Sequence, residues 1–250
     1  MARRRFFVDQ VHNGKALIEG ESAHHLTRVL RVEVGQVFEI TDTTHVWLAE
    51  VETARKSLVE FNIVEELPTG IELPPVTLYL ALIKFDRFEW AVEKATELGV
   101  ATIVPVEASR TDRGLFDGAR KRVERWRRIA RESSEQSRRL RAPEVSDPVR
   151  FAAAIGSQAD LRIWLDEQPG AKPLIEIATA QAPGPTSLLI GPEGGWSPTE
   201  RNLMQAAGWQ GSSLGPPILR AETAVCAALA VVLQAHHTVW DAMKPALQSA

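Results

Sequence analysis

The sequence predicts two unequal parts: a small β-barrel or sandwich, then an α/β unit whose parallel sheet is covered by helices on both faces. Three observations carry this. From Arg5 to about Glu66 the chain reads as short strand-like runs separated by turn signals. The stretch "LPTGIELPP", residues 67–75, is rich in Pro and Gly and marks a boundary, so the parts are drawn as 1–70 and 71–250. Beyond it strand-like and helical runs alternate, the rhythm of a parallel sheet with helices on its faces. A length of 250 residues with 44% hydrophobic side chains suits one large domain or two unequal ones with a real core.

Taken in order, "RFFV", "KALIE", "QVFEITD", "HVWLAEVE" and "LVEFNIVEE" are the strands of the first part, with Asn13-Gly14 as a turn between two of them. One helical insert, "ESAHHLTRVLR", places Leu26, Val29 and Leu30 at apolar spacing and His24, Arg28 and Arg31 on another face. In the second part "VTLYLALI" is a buried strand. "RFEWAVEKATELG" is a helix with Phe88, Ala91, Ala95 and Leu98 as its stripe and Gly99 as its stop, and "VATIVPVEA" is the next strand. A basic helix follows, striped by Val123, Trp126, Ile129 and Ala130. Then come "LRIWLD", the short helix "KPLIEIAT", the strand "SLLIG", the helix "SPTERNLMQAAG", the strand "SSLG" and a long helix from about Glu222. That last helix is apolar almost all round, which suits burial in the domain or at a subunit interface.

The net charge of -3 excludes a globally basic binder, yet the charge is uneven. Arginines crowd residues 120–141, and Arg3, Arg4, Arg5, Arg28 and Arg31 form a second cluster, so a polyanion footprint confined to one surface is expected. The one cysteine, Cys226, can form no internal disulfide and suits a reducing compartment. The pairs His24/His25 and His236/His237 cannot aim both rings at one metal, because helical neighbours diverge by about 100°. The start "MARRRFFVDQ" lacks a signal peptide's apolar core, and no unbroken apolar run reaches the roughly 18 residues of a membrane span. A cytoplasmic location is the expectation.

Two turns carry the chemistry. In "LLIGPEGGWSPTE", Leu188 to Glu200, a strand runs into a glycine-rich turn. Ser197, Pro198, Thr199 and Glu200 then form a capping box with proline at the first helical position. The turn therefore lies at the C-terminal end of a strand, where open α/β sheets bind ligands. It lacks the Gly-Lys-Ser/Thr of a phosphate loop, which argues against a nucleoside triphosphate enzyme. Glu193 at its centre would repel a polyanion and welcome a cation or a hydrogen-bond donor, while the glycines let backbone approach a flat, neutral or positive ligand. The next turn, "LGPPILRAETA", Leu214 to Ala224, again opens on Gly-Pro after a strand and carries Arg220 and Glu222 into a helix.

These two turns, with "VEKATELGVATIVPV", "ARESSEQSRR" and "HHLTRVLR", resemble the ribosomal RNA small subunit methyltransferase E family of the SPOUT superfamily, from about Arg3 to Gln234. The resemblance implies a PUA-like barrel followed by a SPOUT methyltransferase domain with a C-terminal trefoil knot at about 160–240. It implies S-adenosylmethionine as cofactor, a homodimer, and methylation of a uridine at N3 in small-subunit (16S) ribosomal RNA, free or in the assembled subunit. Carried onto this chain, the first cofactor loop holds Leu165 and Asp166. The second holds Ile190, Gly191, Pro192, Glu193, Gly194 and Gly195, and the third Leu214, Gly215, Pro217, Ile218 and Leu219, leading to Arg220, Glu222 and Thr223. The chain departs from the usual family pattern at Phe85 and Arg138, each in place of glycine, and at Ala221 in place of threonine.

Uridine N3 is a poor nucleophile until its proton leaves, so such a site needs a base and a positive charge for the flanking carbonyls. Arg220 is the candidate cation, and Glu222 and Glu193 are the candidate bases. N3 lies on the pairing edge, so the base must be unpaired or flipped outward. Arg3, Arg5, Arg28, Arg31, Arg138 and Arg139 are the candidate RNA contacts. Two other readings stay open: a SPOUT methyltransferase acting on another RNA position, and a non-catalytic RNA-binding ribosome-assembly factor.

Overall fold

The computed structural model describes residues 4–168 and 170–247, with side chains described to Asp241; Arg3 lies outside the described residues. The chain divides into two compact units. One holds the chain up to Ile71 together with Glu132–Ala142, and the other holds Glu72–Arg131 and the chain from Pro143 onward. The return of Glu132–Ala142 to the first unit has no signal in the sequence pattern. It rests on bonds within that unit: Arg138 Nη1 donates to Glu39 Oε1 at 3.0 Å and Arg141 Nε donates to the Thr43 carbonyl at 2.8 Å.

The first unit contains β1 (Arg5–Phe7), β2 (Val11–His12), β3 (Lys15–Glu19), α1 (Gly20–Arg28), β4 (Val37–Thr41), β5 (Val46–Arg55) and β6 (Leu58–Leu67). Its sheet runs β1-β4-β5-β6-β3-β2, with β1 parallel to β4 and every other pairing antiparallel. Asn13 and Gly14 join β2 to β3 with φ of 48° and 75°, the left-handed pair that a two-residue hairpin requires. Phe6, Ile40, Val51 and Phe61 alternate inward from the strands and meet Leu26 of α1. The helix ends earlier than the pattern predicts. Arg31 takes φ 54° and the Val32 N–H returns to the Leu26 carbonyl at 3.0 Å, so Arg31 does not share a helix face with His24 and Arg28.

The second unit follows in chain order as β7 (Val76–Ala81), α2 (Phe85–Leu98), β8 (Thr102–Glu107), α3 (Leu115–Arg120), α4 (Val123–Gln136, of which the part from Glu132 belongs to the first unit), β9 (Glu144–Val145), β10 (Val149–Arg150) and α5 (Phe151–Ala154). It continues with β11 (Leu161–Leu165), β12 (Lys172–Pro173), α6 (Leu174–Thr179), β13 (Thr186–Ile190), α7 (Pro198–Ala206), β14 (Gln210–Ser213) and α8 (Ala221–Leu247). The sheet runs β10-β8-β7-β13-β11-β14-β12, with β9 beside β8, and every pairing is parallel. Alternation along the strands feeds two cores. Leu78, Leu80, Ile163, Leu188 and Ile190 face one layer with Phe88, Trp126 and Leu229, while Val104, Val106, Trp164 and Leu189 face another with Phe151, Trp196, Met204 and Trp209.

The basic run is two helices, α3 and α4, and Arg138 lies past the second with φ 56°. In α2 the buried stripe includes Val92 and Thr96 beside Phe88, Ala91 and Ala95, which puts Leu98 at its edge and 36% exposed rather than in the core. Residues Ala221–Asp241 of α8 are long and apolar enough to cross a membrane, with mean hydropathy 1.3, although no single apolar run announces it. Here Ala224, Val225, Ala228, Leu229, Val232 and Ala235 are buried in the core that α2 and α6 share, while the opposite face of the helix is open.

Candidate active site

The sheet order sets β13, β11 and β14 side by side, so the loops leaving their C-terminal ends converge although they are distant in sequence. Together they enclose a cavity of about 480 Å³. Its walls include Leu165, Asp166, Ile190, Gly191, Pro192, Glu193, Gly194, Gly195, Leu214, Gly215, Pro217, Ile218, Leu219 and Arg220. Of the residues carried over as cofactor contacts, Thr223 alone is not on the wall; it lies exposed in the first turn of α8. Glu167, Trp196, Ser213, Ala221 and Ala224 complete the lining, and of these only Ala221 stands out in the sequence.

Local chemistry holds the second loop. Ser197 caps α7 and accepts from the Glu200 N–H at 3.3 Å, while Glu200 Oε2 accepts from the Ser197 N–H at 2.9 Å. Glu200 also accepts from the Ser109 N–H at 2.8 Å and from its hydroxyl at 2.7 Å. Burial opposes its charge, and these donors nevertheless hold the carboxyl below its ordinary range. Trp196 is buried, and its indole Nε1 donates to the Leu165 carbonyl at 3.0 Å, tying the second loop to the first. A Cβ on Gly191 would stand 3.0 Å from that indole, so the close approach explains the glycine. Gly195, at φ 67°, closes the turn by donating to the Pro192 carbonyl at 2.8 Å.

Arg201, on the first turn of α7, clamps the first loop. Its Nε and Nη2 donate to Asp166 at 2.9 Å, its Nη2 to Glu167 at 2.7 Å, and its Nη1 to the Trp196 carbonyl at 2.5 Å. Burial raises the cost of the Asp166 charge, and the guanidinium holds the carboxyl below its ordinary range all the same. Asp166 is therefore committed to Arg201. Of the three carboxylates on the wall, Asp166 and Glu167 are held by Arg201, and Glu193 lies outside that clamp. It pairs with Arg87 of α2, whose Nε also lies 3.9 Å from Glu222 Oε1. Glu222 does not line the cavity. Arg110 donates to the Gly194 carbonyl at 2.7 Å and lays its stem on that glycine. The Arg220 side chain is exposed and makes no hydrogen bond or ion pair among the described residues. No group of three His, Cys, Asp or Glu among the described residues could hold a metal.

The arginines expected to meet RNA divide into classes. Arg28 and Arg31 are exposed in the first unit. Arg5 and Arg138 instead converge on the buried carboxylate of Glu39, at 2.7 and 3.0 Å. Arg139 is half-buried, and burial pushes its guanidinium down to about 10. Along the basic run Arg122 and Arg125 pair with Glu89, and Arg127 pairs with Glu124. Phe85, in place of the usual glycine, opens α2; its ring lies under the Arg122 guanidinium at 4.4 Å and leaves Gly118 no room for a Cβ.

A glycine-looped cavity at the C-terminal edge of a parallel sheet is where open α/β enzymes bind their ligands, and this chain also carries a small six-stranded unit. The sequence model of an RNA methyltransferase domain matches residues 71–233, and that of an RNA methyltransferase PUA domain matches residues 18–64. The ribosomal RNA small subunit methyltransferase E of Aquifex aeolicus is 31% identical over 91% of this chain and 98% of its own length. That of Bacillus subtilis is 33% identical over 92% of this chain and 95% of its own. The crystal structure of the Neisseria gonorrhoeae enzyme of that name, bound to S-adenosyl methionine, superposes with a TM-score of 0.83 at 28% identity, covering 93% of this chain and 98% of that one. The chain belongs to the ribosomal RNA small subunit methyltransferase E family.

Proposed function

We propose that this protein transfers the methyl group of S-adenosylmethionine to N3 of a uridine in small-subunit ribosomal RNA. The observation that carries the reading is the cavity itself: three converging loops, two of them glycine-bearing, with Asp166 and Glu167 held by Arg201, Glu193 outside that clamp, and Arg220 at the rim without a partner among the described residues. Leu165, Ile190, Leu214 and Leu219 offer apolar walls for an adenine, and the backbone of Gly191 and Gly194 offers polar edges without a phosphate cradle. The bound donor supplies an electrophilic methyl on a sulfonium, and a carboxylate such as Glu193 suits that cationic ligand.

The chain's own residues then supply the rest. Glu193 lines the cavity, so we assign removal of the N3 proton to it rather than to Glu222. Arg220, free at the rim, stabilises the negative charge that spreads onto the uracil carbonyls as the proton leaves. The target base must leave any pairing to expose N3, and Arg28 and Arg31 hold the RNA backbone around it. A homodimer, a trefoil knot over about 160–240 and a cytoplasmic location belong to the same proposal. The placement of β13 and β14 on either side of β11 suits such threading.

Arg220→Ala tests the assignment of charge. It lowers kcat on small-subunit particles by about 10²- to 10³-fold, the usual cost of removing one oxyanion partner, with donor affinity retained. Full turnover in that variant with saturating RNA contradicts the role given to Arg220.

A further inference from the structure

Arg87 joins the two acidic candidates of the site, and no role assigned so far includes it. Its Nη1 donates to Glu193 Oε1 while its Nε stands 3.9 Å from Glu222 Oε1. Glu193 is 39% exposed at the cavity, whereas Glu222 is 13% exposed on the first turn of α8. The second oxygen of Glu222, Oε2, is buried and has no hydrogen-bond partner among the described residues. One guanidinium between two carboxylates leaves a negative charge uncompensated, and a buried carboxylate oxygen without a donor is unfavourable. An arginine has five N–H donors in a planar fork and can grip both oxygens of one carboxylate. The partnerless Oε2 is thus an acceptor of the kind Arg87 needs when it leaves Glu193.

We propose that Arg87 is a positioning residue shared by the two acids: it pairs with Glu193 before substrate arrives and passes to Glu222 when the substrate's own donor takes its place. The passage frees Glu193 to accept a proton. Glu222 then acts through Arg87 and touches no reacting atom. This inference rests on the methyl-transfer reading above, and it makes Arg87 and Glu222 one device, so their substitutions must be coupled.

The experiment is a double-mutant cycle of Glu222→Gln and Arg87→Ala, with kcat and KM measured on small-subunit particles and S-adenosylmethionine affinity measured by calorimetry. In the otherwise native chain, Glu222→Gln leaves Arg87 on Glu193 and lowers kcat about tenfold, a typical coupling, with donor affinity and KM for the particle held. In the Arg87→Ala background the same substitution has no further effect on kcat. Arg87→Lys, which carries the charge but not the fork, falls between. An equal loss from Glu222→Gln in both backgrounds overturns the proposal and makes Glu222 itself the proton acceptor. No loss in the native background overturns it too. A native chain that binds no donor overturns the methyl-transfer reading and the inference with it, and that outcome is visible before any variant is made.

Discussion

Arg201→Ala perturbs the clamp on the first loop, and its size can be worked from the partners it strands. The guanidinium donates to Asp166, Glu167 and the Trp196 carbonyl, with side-chain exposure of 16% for Arg201 and 7% for Asp166. Removing it strands a buried carboxylate, which costs about 3–5 kcal/mol; Glu167 at 40% exposure still reaches solvent, so the low end, about 3 kcal/mol, applies. For a chain of this size that lowers the thermal midpoint by roughly 6–12 °C. The folded Asp166 carboxyl is held below its ordinary value of 3.8, so the clamp's contribution is fully present above that value and is lost as pH falls through the lower folded value. The gap between native chain and variant therefore closes in acid. Urea unfolding followed by tryptophan fluorescence from pH 7 downward measures it, and Asp166→Asn added to Arg201→Ala recovers part of the loss because no charge is then stranded. A gap under about 0.5 kcal/mol at neutral pH, or one that widens in acid, refutes the reasoning.

Gly191→Ala drives a Cβ to 3.0 Å from the Trp196 indole, which is buried and bonded to Leu165. Overpacking of about 1–3 kcal/mol is expected, with donor affinity down about tenfold in calorimetry and RNA affinity unchanged; equal donor affinity would remove Gly191 from the cavity's tight points. Arg28→Ala with Arg31→Ala reduces the steepness with which RNA binding falls as salt rises, by about one unit of slope for each phosphate no longer neutralised. Arg5→Ala and Arg138→Ala strip partners from the buried Glu39, so they lower stability in a melt more than they change that slope.

What was legible in the chain was what local chemistry decides. The capping box at Ser197 and Glu200 announced where the second loop ends, and Gly-Pro after a strand-like run announced the second and third loops. Spacing alone could not show that β13, β11 and β14 are neighbours; the family resemblance joined their loops, and the sheet order explains it. The supporting arginines were illegible for the same reason. Arg87 meets Glu193 across 106 residues, Arg110 meets Gly194 across 84 and Arg201 meets Asp166 across 35. Arginine clusters read as an RNA footprint also hid internal pairs, because the partner of Arg138 lies 99 residues away in Glu39. Trp196 stood in plain view after Gly195, and its burial against Leu165 depends on the first loop being adjacent.

Methyl transfer from labelled S-adenosylmethionine to small-subunit particles that lack the modification, followed by nucleoside analysis of the RNA, bears most directly on the proposed activity. The expected result is label in N3-methyluridine, reduced by about 10²- to 10³-fold in rate in Arg220→Ala. Label in any other nucleoside contradicts the assigned position, and no label with no donor binding contradicts the activity itself and leaves an RNA-binding assembly factor.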